Sequence, residues 1–252
     1  MWYDERGGGE PLVLLHGGAV DSRFFAASID LLADRFRVFA PDARGHGRTP
    51  DVEGPFTHAA LARDAIAFLE TVVSRPAHLV GHGEGASVAM HVGLRRPDLV
   101  NQLVVIGGDV RRDDHVPGDS QNRVDVGAVV AAFGASYGEV SPDGEEHYRV
   151  VVEKDVEMLA EGPTVMQSEL GGITSRTLVM AGDDDAVPLE HTLALYRGIA
   201  DSELAVVPGT SHFLVQEKPA LCNAIIVEFL TTGPVPTVAP IRRATRPRPS
   251  AR

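Results

Sequence analysis

Residues 78–90 set a short apolar run, His78-Leu79-Val80, directly before Gly81-His82-Gly83-Glu84-Gly85 and a stretch rich in Ala, Ser, Val and Met that reads as a helix. Strand, tight glycine turn and helix, in that order, are the setting of a nucleophile elbow, G-x-S-x-G. The outer glycines let strand and helix approach closely at such a turn. The middle position, where a serine would attack a carbonyl carbon, is Gly83 and has no side chain.

Proton transfer near neutral pH calls for a histidine. A buried carboxylate then holds its tautomer and stabilises the imidazolium. His212 stands in the loop after the last predicted strand, and the run Asp183-Asp184-Asp185 follows the strand before it. His16-Gly17-Gly18 ends the first long apolar run. Such a turn can offer backbone N–H groups to a developing oxyanion, although an ordinary strand-to-helix turn has the same sequence. His46, in the loop 41–48, reads as structural, because the glycines with Asp42 and Arg44 suffice to lock a turn. Ser87, one helical turn past the elbow, and Ser211, beside the histidine, are not positioned to replace the missing hydroxyl.

The elements that must position these residues alternate. Residues 11–15, 36–40, 77–80 and 102–106 read as buried strands, separated by helices opening near Asp21 or Ser22, capped by Thr57 through about Val73, and running from Glu84 to Arg95. This predicts a parallel sheet covered by helices on both faces. From 109 to 172 the alternation stops. Val124–Tyr137, a helix capped at Ser141-Pro142 running to Leu159, and a capping box at Thr164–Gln167 predict a helical insertion, a candidate cap over the sheet's C-terminal edge. Strands at 177–181 and 203–207, with helices after each, resume the pattern. The expected organisation is a core of 1–108 and 173–230, a cap of 109–172, and a disordered Pro/Arg-rich tail of 231–252.

The 252 residues are 44% hydrophobic and 23% charged, enough for one domain with a sizeable core. The net charge is −12, and residues outside the five-arginine tail carry about −17, which disfavours nucleic acid and anionic membrane. Cys222 is the single cysteine, so the chain has no internal disulfide, and a reducing cytoplasm fits. No apolar run approaches the ~20 residues of a membrane span. The ten histidines lack H-E-x-x-H or similar spacing, and the glycine turns lack a phosphate-loop lysine. Neither a metal nor a cofactor is expected; the expected partner is a small-molecule substrate.

Together, His16-Gly17-Gly18, the D-x-R-G-H-G loop at 42–47, the elbow frame at 81–85, the acid run and His212 resemble the α/β-hydrolase superfamily over about residues 2–230. Elbow, acid and histidine also follow the family's order. The resemblance implies oxyanion donors at the N–H groups of Gly18 and Glu84, neither of which needs its side chain. It implies an acid three residues after the glycine, which is Asp185, or four before the next proline, which is Asp184; the loop is one residue short and Asp185 is favoured. The family also places another strand or two before the oxyanion turn, so a shortened sheet or a truncated start is expected. Phe133, Tyr137, Tyr148, Met158 and Met166 are the bulky candidates for lining a substrate pocket under the cap.

Three functions follow from these residues. The first is a superfamily enzyme for a small apolar ester, lactone or related carbonyl compound, impaired or inactive as a serine hydrolase for want of its nucleophile. The second is a His–Asp proton-transfer enzyme (lyase, isomerase or cofactor-free oxygenase) on the same fold. The third is a non-catalytic small-molecule binding protein, for which keeping both His212 and the acid has little reason.

Overall fold

The computed structural model describes residues 1–110, 124–161, 165–233 and 237–239. Seven strands form one sheet in the order β1-β3-β2-β4-β5-β6-β7: β1 (Tyr3–Gly7), β2 (Glu10–Leu15), β3 (Phe36–Pro41), β4 (Ala77–His82), β5 (Val100–Ile106), β6 (Arg176–Gly182) and β7 (Ser202–Val207). All neighbours pair parallel except β1, which runs antiparallel to β3 at one edge. The fold is the α/β-hydrolase fold that the sequence predicts.

Alternation along the central strands explains the two cores. Leu12 and Leu14 face one layer with Val80, Val104, Ile106 and Met180. Val13 and Leu15 face the other with Leu79, Leu103, Val105 and Val179. Helices α1 (Ala26–Ala33) and α8 (Pro219–Thr231) cover the first face through Ile29, Leu32, Ile226 and Phe229. Helices α2 (His58–Phe68), α3 (Glu84–Arg95) and α6 (Leu189–Gly198) cover the second through Leu61, Ala65, Ala89, Met90 and Leu195. Both faces are dry, so the strands read as continuous apolar runs. The Thr57 hydroxyl caps α2 by accepting from Ala60 N–H at 3.1 Å, and Asp21 caps the short turn before α1.

Between β5 and β6 the described residues hold α4 (Val126–Gly138), α5 (Tyr148–Ala160) and short 3-10 turns. The helix expected to begin at Ser141-Pro142 begins instead at Tyr148. The Ser141 hydroxyl accepts from Asp143 N–H at 3.2 Å, which closes a local turn, and Gly144 follows at φ +80°, outside helical space. Thr164 lies outside the described residues; the helix after it is a 3-10 turn, Gln167–Gly172, whose Glu169 side chain accepts from Met166 N–H. The segment sits on the loops at the C-terminal ends of the strands. Tyr148 Oη donates to Ala19 O at 2.6 Å, and Lys154 Nζ reaches Asp51 Oδ2 at 2.6 Å. A short helix α7 (Leu214–Glu217) precedes α8. Cys222 is buried there. The expected tail at 231–252 lies largely outside the described residues.

Candidate functional site

Gly83 forms the turn between β4 and α3 at φ +55° and ψ −118°, a backbone region hostile to side chains. The flanking glycines are fixed by contact. A Cβ on Gly81 would lie 2.2 Å from Gly85 O, and one on Gly85 would lie 2.0 Å from Leu15 O. Position 83 differs: a Cβ there would meet nothing nearer than His212 Nε2 at 3.3 Å and Gly17 Cα at 3.7 Å. A side chain there would point at the His212 ring, which must give way by a few tenths of an ångström to admit it.

His212 Nδ1 lies 2.7 Å from Asp185 Oδ1, and the Asp185 side chain is wholly buried. That Oδ1 also accepts from Val187 N–H at 2.9 Å. Burial opposes charge on the His212 ring, but the hydrogen bond and charge of Asp185 outweigh it and raise its pKa above the ordinary imidazole value. Burial opposes ionisation of Asp185 as well; the bonds from His212 and Val187 reverse this and lower its pKa. Asp184 is exposed, and its N–H donates to Thr210 O at 3.1 Å. Asp183 is exposed too and accepts from Thr210 N–H at 3.1 Å. Ser211 Oγ donates to Glu217 Oε1 at 2.7 Å, and Ser87 is buried within α3.

His82 fixes the back of the His212 loop. Its Nε2 lies 2.8 Å from His212 O, and its ring stacks on Phe24 at 4.4 Å between centroids. Burial pushes its pKa down to about 3, so the ring is neutral and Nε2–H donates.

The β2–α1 turn is occupied. Gly18 N–H donates to Glu84 Oε2 at 2.5 Å, and Ala19 N–H donates to Asp155 Oδ2 at 2.9 Å. The reading of Glu84 as a backbone donor whose side chain is irrelevant is thus incomplete: the carboxylate takes the N–H of the other expected donor. Asp155 comes from α5 and also bonds His46 Nε2 at 3.0 Å. His46 Nδ1 faces Arg44 O at 2.9 Å. With a carboxylate on one nitrogen and a carbonyl on the other, both must donate, so the ring is an imidazolium. Burial opposes that charge; Asp155 outweighs it and raises the pKa to about 9. His16 does the reverse. It accepts from Ala43 N–H at 2.9 Å while Nδ1 lies 2.7 Å from Gly17 O, and burial lowers its pKa. Asp109, just past β5, is pushed up to about 6 by burial and by the charge of Glu84.

A small apolar cavity of about 40 Å³ opens beside Glu84, walled by Leu15, Leu61, Val88 and Met158 and closed by His46 and Asp155. Gly17, Gly18 and Glu84 line it, and His212 does not. Phe133, Tyr137 and Tyr148 line a different cavity of about 210 Å³ between α4 and the β2–α1 turn. Met158 alone of the five predicted lining residues reaches the first cavity, and Met166 lines neither. Sequence reasoning missed Asp155, Asp109 and the Glu84 side chain; the acidic position directly after Gly83 was the available signal. No group of three or more potential metal ligands occurs among the described residues. No helix there is long and apolar enough to cross a membrane.

Comparison with known proteins bears on the family of the chain. The chain is 26% identical to a putative carbamate hydrolase, RutD, of Azorhizobium caulinodans, over 91% of this chain and 94% of the relative. It is 25% identical to (E)-2-((N-methylformamido)methylene)succinate hydrolase of Acinetobacter baylyi, over 92% and 94%. The crystal structure of a hydrolase from Pseudomonas aeruginosa superposes with a TM-score of 0.74 at 23% identity, covering 91% of this chain and 94% of that one. The family model described as "Alpha/beta hydrolase family" matches residues 12–225. On that match, which spans the elbow, Asp185 and His212 alike, the chain belongs to the alpha/beta hydrolase family.

Proposed function

We propose that the chain is an enzyme of this family acting on a small carbonyl compound, an ester, lactone or carbamate-like substrate, from which the covalent nucleophile is missing. The carrying observation is the aim of the His212–Asp185 pair: Nε2 points to within 3.3 Å of the place where a residue-83 side chain would begin. Relatives named as hydrolases of carbamate and N-acyl substrates support the carbonyl class. In this reading residues 109–172 act as a cap, and the site works in a reducing cytoplasm without a cofactor.

Without an acyl-enzyme, water takes the place of the serine hydroxyl. Its oxygen bonds to the carbonyl carbon as Nε2 of His212 takes its proton. The carbonyl electron pair moves onto oxygen, then returns as the leaving group departs with the proton from His212. Removing the nucleophile of a triad leaves about 10³–10⁴-fold acceleration over water, supplied by the oxyanion hole and binding; with Gly18 N–H bonded to Glu84, turnover below that is expected. The open Nε2 favours a second reading, in which His212 removes a proton from the carbon next to a carbonyl.

The test compares p-nitrophenyl acetate hydrolysis by this chain and by Gly83→Ser. A burst and steady turnover in the serine variant, with the parent near background, supports a hydrolase frame that lacks its nucleophile. Two folded proteins that both stay at background, with Gly83→Ser/Glu84→Met equally silent, overturn it.

A further inference from the structure

Glu84 Oε2 sits on Gly18 N–H, the very donor that an acyl-transfer site offers to substrate oxygen. We propose that Glu84 is a specificity-determining residue: its carboxylate fills the oxyanion position and excludes substrates whose carbonyl oxygen turns negative there. The inference rests on the hydrolase-frame reading above and assigns to this site a selection that the fold alone does not.

Three observations carry it. First, the next N–H of the turn, that of Ala19, is held by Asp155 Oδ2, which His46 holds in turn, so the turn has no spare neighbouring donor. Second, the carboxylate is pressed against the turn: a Cβ on Gly18 would lie 3.0 Å from Glu84 Oε2. Third, Gly18 N–H donates to this carboxylate, and the charged His46 of the same cluster donates both its N–H groups elsewhere. At Gly18 an incoming oxyanion would meet a like charge at hydrogen-bond range instead of a free donor, which leaves the Glu84 N–H as the remaining expected donor. Loss of one oxyanion donor lowers turnover by about 10²–10³-fold, and the repulsion adds to that. In the chain as it stands this slows the water reaction proposed above and selects for substrates that build less charge at Gly18.

The experiment measures p-nitrophenyl acetate acylation rates in Gly83→Ser, Gly83→Ser/Glu84→Gln and Gly83→Ser/Glu84→Met. Methionine suits the apolar wall of Leu15, Val88 and Met158 and vacates the donor. Glutamine keeps an oxygen there and removes the charge. The expected order is Met above Gln above Glu, with Met faster than Glu by about 10²-fold. Three equal rates overturn the inference and leave the hydrolase frame standing. A silent Gly83→Ser with active double variants supports both. Silence in all three folded proteins overturns both. A second readout avoids turnover: in the otherwise unaltered chain the Gly18 amide proton should resonate far downfield and move upfield in Glu84→Met. An unmoved resonance shows that the contact is not made and overturns the inference.

Discussion

His212 Nδ1 and Asp185 Oδ1 lie 2.7 Å apart, while Asp185 Oδ2 is buried with no hydrogen-bond partner among the described residues. The carboxylate charge is therefore directed at the ring. Asp185→Asn should lower the His212 pKa, read by NMR titration of the imidazole, and Asp184→Asn should leave it unchanged. In the Gly83→Ser background, Asp185→Asn should cut kcat by about 10⁴-fold, the scale for a triad that loses its acid. Equal effects from the two substitutions would remove the assignment of Asp185.

The same pair sets a pH dependence. His212 acts as a base only when neutral, and its pKa is raised in the folded chain. Hydrolysis by Gly83→Ser should therefore rise with pH through a midpoint above the ordinary imidazole value of ~6.5. A midpoint below that value in a kcat/KM profile would contradict the Asp185 contact. The stability part has the opposite sense: with Asp185 ionised, the raised pKa means that protonated His212 stabilises the fold fully below its unfolded value and loses that contribution as pH climbs through the folded one, while the lowered pKa of Asp185 bounds the window on the acid side.

Much of this was legible in the sequence because the signals are local. Runs such as 11–15 are apolar because both faces of the sheet are covered, and Gly81 and Gly85 are glycines because their neighbours leave no room for a Cβ. His212 was marked by its place after the last strand. The acid was not, since two spacing rules named Asp185 and Asp184 and only the side-chain direction separates them. His46 and Asp155 are 109 residues apart, and no local pattern ties α5 to the loop after β3. The start of α5 was misplaced because a serine and a proline cap a turn as well as a helix. The direction of the Glu84 side chain is set by Gly18, which is 66 residues away.

His46 and Asp155 should couple stability to pH. The folded pKa of about 9 exceeds the unfolded ~6.5. The folded chain thus holds more proton in that window, and stability from this pair should be complete below pH ~6.5 and fade towards pH 9. His46→Gln should cost about 3–5 kcal/mol in urea unfolding, because it leaves a buried carboxylate without its cation. A loss under about 1 kcal/mol would contradict a buried His46–Asp155 ion pair.

The elbow glycines should separate under substitution. Gly85→Ala places a methyl group 2.0 Å from Leu15 O, and backbone on both sides blocks relief. Loss of several kcal/mol, or failure to fold, is expected. Gly83→Ala adds its methyl 3.3 Å from His212 Nε2, at a φ of +55° that costs an alanine about 1–3 kcal/mol. It should fold, with a lowered Tm, and should not gain ester hydrolysis, because it supplies a side chain without a hydroxyl. Gly83→Ser carries the same backbone cost and differs by one oxygen. Comparing the two therefore assigns any gained turnover to the hydroxyl and not to a change in the turn. Equal Tm losses for Gly83→Ala and Gly85→Ala would contradict the contacts that distinguish the middle of the elbow from its frame.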